Sequence, residues 1–100
     1  MNIFGIGTDI VSIDRIKNSL RNRNFINRIF NEKEILKCKR INNSINCYAK
    51  RFAAKEAFSK ALGTGISNGI NFNEIVILNK NSGKPYINII GQTKKVLDKK

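Results

Sequence analysis

Apolar residues dominate the opening stretch "NIFGIGTDIVSI", where Ile3, Phe4, Ile6, Ile10 and Val11 predict a β-strand. Gly5 and Gly7 thin that strand and point to a bulge or a close backbone approach. The spacing then changes to three and four. Ile13, Ile16 and Leu20 share one side of a predicted helix over 13–22, with Ser12 as its cap and Arg15, Lys17 and Arg21 on its other faces. "NFINRIF" continues as helix or helical turn. "NEKEILKCKRI" carries Asn31 with Glu34 three residues on, the spacing of a capping box. The longest predicted helix runs over 44–62, with Ser44 as cap and Gly63 where a left-handed terminal residue is wanted. At about 100° per residue, Cys47, Ala54, Ala57, Phe58, Ala61 and Leu62 fall on one apolar arc. Glu56 points nearly the opposite way, among Ala49, Phe52, Ala53, Ser59 and Lys60. "INFNEIVILNK" and "PYINII" read as strands joined by the turn "NSGKP", an antiparallel hairpin within 70–90. "QTKKVLDKK" begins a last helix. Strand, helices, hairpin and helix in that order predict an α+β fold, one domain over 1–100 with no repeat or linker.

Composition narrows the function. The chain has 100 residues, 41% of them hydrophobic, which fits a folded domain with a modest core. No apolar run approaches the ~18 residues of a membrane span. The N-terminus lacks the basic stretch and cleavage-like site of a secretion signal, so a cytoplasmic location without a membrane partner is expected. Two cysteines, Cys38 and Cys47, have no CxxC spacing and are expected to be separate, reduced thiols. There is no histidine, which excludes a Ser-His-Asp triad, a Cys-His pair and every His-based zinc site. Any metal must therefore be hard and oxygen-bound. Nineteen basic residues against seven acidic ones give a net charge of +12, which suits nucleic acid, anionic lipid or an acidic partner. The basic residues are spread along the whole chain, and the abundance of Lys, Asn and Ile also suits biased base composition in the coding DNA. Both points weaken the case for nucleic acid.

The few acids carry the chemical question. Asp14, Glu32 and Glu34 have ordinary places at helix starts. Glu74 can face solvent on a strand, and Asp98 lies in a charged tail. Asp9, inside an apolar strand, must be paired or bind a metal, because an unpaired buried charge is very costly. Glu56 lies among small residues, and two carboxylates from separate elements can make a Mg²⁺ site. The alternatives are a helix cap or arginine partner for Asp9, and a plain i,i+4 surface pair of Glu56 with Lys60. "GTG" at 63–65 could aim backbone amides at a phosphate, or simply end the helix.

"GIGTDIVSIDRI", "RIFNEKE", "RFAAKEAFSKALGTGI" and "GKPY" follow one another along the chain. In that combination and order the sequence closely resembles the bacterial holo-acyl-carrier-protein synthases, the small 4′-phosphopantetheinyl transferases. The resemblance implies a 4′-phosphopantetheinyl transferase-like fold, with an antiparallel sheet packed against a long helix. It also implies the reaction. A serine hydroxyl of apo acyl carrier protein attacks the β-phosphate of coenzyme A, the 4′-phosphopantetheine arm is transferred, and adenosine 3′,5′-bisphosphate leaves, in service of fatty acid biosynthesis. By the same resemblance Asp9 and Glu56 hold Mg²⁺, and Lys60 stabilises or protonates the leaving phosphate. Ser59, Gly63, Gly65 and Lys84 contact coenzyme A, and Arg15 docks the acidic carrier protein. A homotrimer is implied as well.

One departure stands out. Members of that family continue with a strand bearing His-x-Ser-x-Ser-His and a final apolar strand, whereas this sequence is short at its C-terminus, ending at "KKVLDKK". An open sheet edge and an exposed apolar face are therefore expected. A transferase is the first reading of the sequence. The second is a relic that binds carrier protein without transfer, and the third a small basic nucleic-acid-binding protein.

Overall fold

The computed structural model describes residues 14–62 and 69–99, in which five helices accompany one antiparallel β-hairpin. The predicted N-terminal strand lies outside the described residues, as do Asp9, Gly63 and Gly65. The first described helix, α1, covers 14–19. It buries Ile16 and turns Arg15 and Lys17 to solvent, and Leu20 packs half-buried beyond its end, as the three-and-four spacing predicts. The chain breaks at Leu20 and Arg21, and Asn22 starts a new helix, α2 (Arg23–Ile29), its side chain accepting from the Asn24 amide at 2.9 Å. The first helix thus ends before the expected 22, because an asparagine that can cap competes with helix continuation, and "NFINRIF" continues as helix as expected.

α3 (Glu32–Lys39) begins with the predicted capping box: Asn31 accepts from the Lys33 amide and Glu34 accepts from the Asn31 amide, both at 2.9 Å. α4 spans Ser44–Leu62, the predicted bounds. Its cap is Asn43 rather than Ser44, since the Asn43 side chain accepts from the Asn46 amide at 3.2 Å. Cys38 of α3 and Cys47 of α4 are joined in a disulfide with Cα atoms 5.5 Å apart. This corrects the expectation of separate thiols. The short α3–α4 loop folds the two helices back on each other, a proximity that motif spacing alone does not reveal.

The larger correction concerns the faces of α4. The stripe turned to the core is Tyr48, Arg51, Lys55 and Ser59, flanked by the half-buried Phe52. Of the expected apolar arc, Cys47 is in the core and Phe58 packs against it, but Ala57 and Ala61 are exposed. Apolar content misled because the charged residues of the buried stripe have their partners inside the fold. Phe52 and Tyr48 join Phe25, Phe30 and Phe72 in an aromatic cluster. Its closest pair is Phe30–Tyr48, with centroids 4.9 Å apart in edge-to-face geometry.

After a 3₁₀ turn at Phe72–Glu74, β1 (Ile75–Asn79) pairs antiparallel with β2 (Pro85–Ile89), Ile77 opposite Ile87. The hairpin turn closes with the Gly83 amide donating to the Lys80 carbonyl at 2.8 Å, and Gly83 takes φ +93°, where glycine is the least strained residue. Ile75, Val76 and Ile77 are all buried. Successive strand residues face opposite ways, so both faces of β1 are covered there. β2 is mostly exposed, with Ile87 46% accessible.

α5 (Gly91–Asp98) follows, packing Thr93, Val96 and Leu97 inward. Glu74 does not face solvent on a strand. It sits in the 3₁₀ turn and caps α5, accepting from the Gln92 amide at 3.1 Å, the Thr93 amide at 2.9 Å and the Thr93 hydroxyl at 2.8 Å. No helix among the described residues is long and apolar enough to cross a membrane.

Candidate active site

The sequence "RFAAKEAFSK" puts four charged side chains on one helix, and α4 sorts them between its core and its rim. Lys55 and Glu34 are both fully buried, with Nζ to Oε1 at 2.6 Å. Lys55 also donates to the carbonyls of Ile29 at 2.7 Å and Phe72 at 2.8 Å. Its three ammonium protons therefore meet three acceptors, which is the condition for keeping a charge inside. Burial still pushes the Lys55 ammonium below its usual range, a shift the adjacent Glu34 carboxylate only partly offsets. The Phe30 ring, 5.3 Å from Nζ, adds a cation–π contact. The other Glu34 oxygen accepts from the Ile77 amide at 3.0 Å, tying α3 to β1. Arg51 completes the network. Its Nε donates to the Ile77 carbonyl at 2.9 Å, one terminal nitrogen donates to the Asn79 side chain at 3.0 Å, and the other donates to Cys47 Sγ at 3.1 Å. Burial lowers the Arg51 pKa, against a smaller opposing effect of Glu34.

These groups are consumed by the fold. α3, α4, the 3₁₀ turn and β1 are held in register by one glutamate and two cations. Reading by residue type gave Glu34 only its capping role and gave Arg51 and Lys55 none. The available signal was Arg51, Lys55 and Ser59 at four-residue spacing in a helix otherwise rich in alanine and phenylalanine.

Glu56 is different. It follows Lys55, so it lies about 100° around the helix, at the edge of the buried stripe rather than opposite it. It is half-buried, and no hydrogen bond or ion pair engages its carboxylate among the described residues. Lys60, one turn on, is exposed and makes no ion pair with Glu56. The plain surface pair is therefore not formed. Ser59, beside Lys60, is 4% exposed and belongs to the inward stripe. Glu56 and Lys60 thus share one margin of α4, the carboxylate half-sheltered and the ammonium exposed, with Ser59 on the inward side of that margin.

The other expected site residues are farther off. Lys84 is exposed at the hairpin turn, whose Asn79 contacts Arg51. The rise from Arg51 to Lys60 is roughly 13 Å along α4, so the hairpin end and Lys60 belong to different ends of the helix. Arg15 is exposed on α1, away from α4's own rim residues in sequence and element. No cluster of three or more acidic, cysteine or histidine side chains that could hold a metal occurs among the described residues. Of the two expected Mg²⁺ ligands only Glu56 is described. An oxygen donor left open by its neighbours fits a hard cation.

Comparison with known proteins was made against this geometry. The family model described as "4'-phosphopantetheinyl transferase superfamily" matches residues 5–99. A holo-[acyl-carrier-protein] synthase of Pelagibacter ubique is 50% identical over 100 residues, covering 100% of this chain and 78% of that protein. One of Buchnera aphidicola is 52% identical over 92 residues, covering 90% of this chain and 73% of that protein. Among solved structures, holo-[acyl-carrier-protein] synthase from Neisseria meningitidis superposes with a TM-score of 0.76 at 37% identity, covering 87% of this chain and 71% of that one. An acyl carrier protein synthase of Plasmodium yoelii with ADP bound gives a TM-score of 0.68 at 35% identity, covering 87% of this chain and 69% of that one.

Proposed function

The chain belongs to the 4′-phosphopantetheinyl transferase superfamily, and on that premise we propose that it moves the 4′-phosphopantetheine arm of coenzyme A to a serine of apo acyl carrier protein. The serine oxygen forms a bond to the β-phosphorus, the phosphoanhydride bond breaks, and adenosine 3′,5′-bisphosphate leaves, the hydroxyl proton passing to solvent. Such a transfer needs little covalent help from the protein. It needs the reacting groups held in line and the charge on the phosphates neutralised.

The observation that carries the proposal is the margin of α4, where a carboxylate and an exposed ammonium, neither with an ion-pair partner among the described residues, lie one turn apart, outside the buried ionic network. Glu56, with Asp9, would hold Mg²⁺, which when bound neutralises charge on the pyrophosphate. Lys60 meets the leaving phosphate as its charge grows, and removing such a contact costs about 10²–10³ in turnover. Ser59, Gly63 and Gly65 border the same phosphates. Lys84, at the other end of α4, suits a second anionic part of the elongated coenzyme. Arg15 offers exposed charge to the acidic carrier protein.

The test is the intact mass of apo carrier protein incubated with the full chain, coenzyme A and Mg²⁺. A gain of one phosphopantetheine is expected, abolished by excess chelator and restored by Mg²⁺. Carrier binding without any mass gain would contradict transfer and select the binding-only alternative.

A further inference from the structure

The outer face of α3 is not used by the site or the core. Lys33, Leu36, Lys37 and Arg40 share that face at three- and four-residue spacing, opposite the buried Glu34 and Cys38. With Ile41 and Leu78 of β1 they line an open trough of about 540 Å³. Its floor is aliphatic. Leu36 is 55% exposed and Ile41 is also largely open to solvent, which is unusual for two large aliphatic side chains in one depression. Its rim is entirely cationic. Among the described residues no carboxylate lines the trough, and none forms an ion pair with its three cations.

We propose that this trough docks an acidic amphipathic helix of a partner protein, with two or three aliphatic side chains set over Leu36, Ile41 and Leu78 and carboxylates set against Lys33, Lys37 and Arg40. The chemistry selects this occupant over others. A second copy of this chain would bring its own share of a +12 charge to a cationic rim. Nucleic acid would satisfy the rim but leave the aliphatic floor uncovered, and no aromatic ring lines the trough for a base to stack on. A flat anionic membrane does not fill a concave trough. A helix whose apolar stripe is flanked by acids fills the floor and matches the rim, the helix-in-groove mode of recognition. The trough is on α3 and β1, whereas Arg15 is on α1, so this is a surface distinct from the one proposed for the carrier, and it stands whether or not the chain transfers phosphopantetheine.

The experiment is an NMR titration of the full ¹⁵N-labelled chain with a synthetic helical peptide bearing leucines at i, i+3 and i+7 and glutamates on their flanks. Shifts are expected at the amides of Leu36, Ile41 and Leu78. Leu36→Glu should weaken binding at least ~10-fold, since burying one leucine is worth more than the free energy of one decade. Leu36→Met should retain it, and added salt should weaken it. Because Leu36 is exposed, both variants should melt with the parent chain. Shifts confined to α1, equal binding by Leu36→Glu, equal binding by an equally charged peptide without leucines, or a Leu36-dependent preference for anionic vesicles or RNA would each overturn the proposal.

Discussion

Lys55 and Glu56 are neighbours in the sequence, yet one is sealed in the core and the other sits at its edge. The difference is in what meets them. Lys55 has an acceptor for each proton, and one of those acceptors is a buried carboxylate. Replacing Lys55 with methionine keeps most of its volume but takes from the buried Glu34 its close partner, leaving only Arg51 at 4.0 Å, a loss of roughly 3 kcal/mol. Urea denaturation of Lys55→Met should show that loss, whereas Glu56→Gln should leave the midpoint close to that of the parent. Glu74 makes a second residue-level case. Burial alone would raise its pKa, but hydrogen bonds from the Asn71 and Thr93 side chains and from the Thr93 and Gln92 amides outweigh it and hold the carboxyl below its usual range. A carboxyl with a depressed folded pKa stabilises the fold above its unfolded value, about 4.3, and that contribution disappears as the pH falls through the folded value. Melting temperature measured from pH 7 down to pH 3 should therefore fall less steeply for Glu74→Gln, from a lower starting point. Residue types alone hid both roles. Besides local bonds from Asn31 and Asn71, these groups draw partners from 17 or more positions away: Phe72 and Glu34 for Lys55, and Gln92 for Glu74.

Elements were far more legible than partners. Local signals set the ends of α3, α4 and the hairpin, because capping boxes, terminal asparagines and a Gly-Pro turn act within a few residues. The faces of α4 were less legible. A helical wheel weighs side chains by apolarity, and in this helix the buried stripe is Tyr48, Arg51, Lys55 and Ser59. The start of α5 depends on a contact that no wheel contains. Gly91 has φ +63°, and a Cβ there would overlap the Glu74 carboxylate that caps the helix. Gly91→Ala should therefore lose at least about 1 kcal/mol through backbone strain and a displaced cap. Amide hydrogen exchange at Gln92 and Thr93 should quicken in that variant, while exchange in α4 should respond only to the global loss.

At the scale of the molecule, the buried ionic network and the rim of α4 divide the work. Arg51, Lys55 and Glu34 fasten α3, α4 and the hairpin to one another, and this rigid seat sets the bearing of Glu56 and Lys60. The proximity of Glu56 and Lys60 was readable from the sequence because they lie one turn apart on one helix. The scaffold beneath it was not, because it is assembled from α3, α4, the 3₁₀ turn and β1. The sharpest test addresses the rim in one assay: the rate of phosphopantetheine mass gain on apo carrier protein for the parent chain, Glu56→Gln and Lys60→Ala, at equal folded concentration. Both variants should melt with the parent chain and lose about 10²–10³ in turnover. Mass gain by Glu56→Gln at the parent rate would contradict the account.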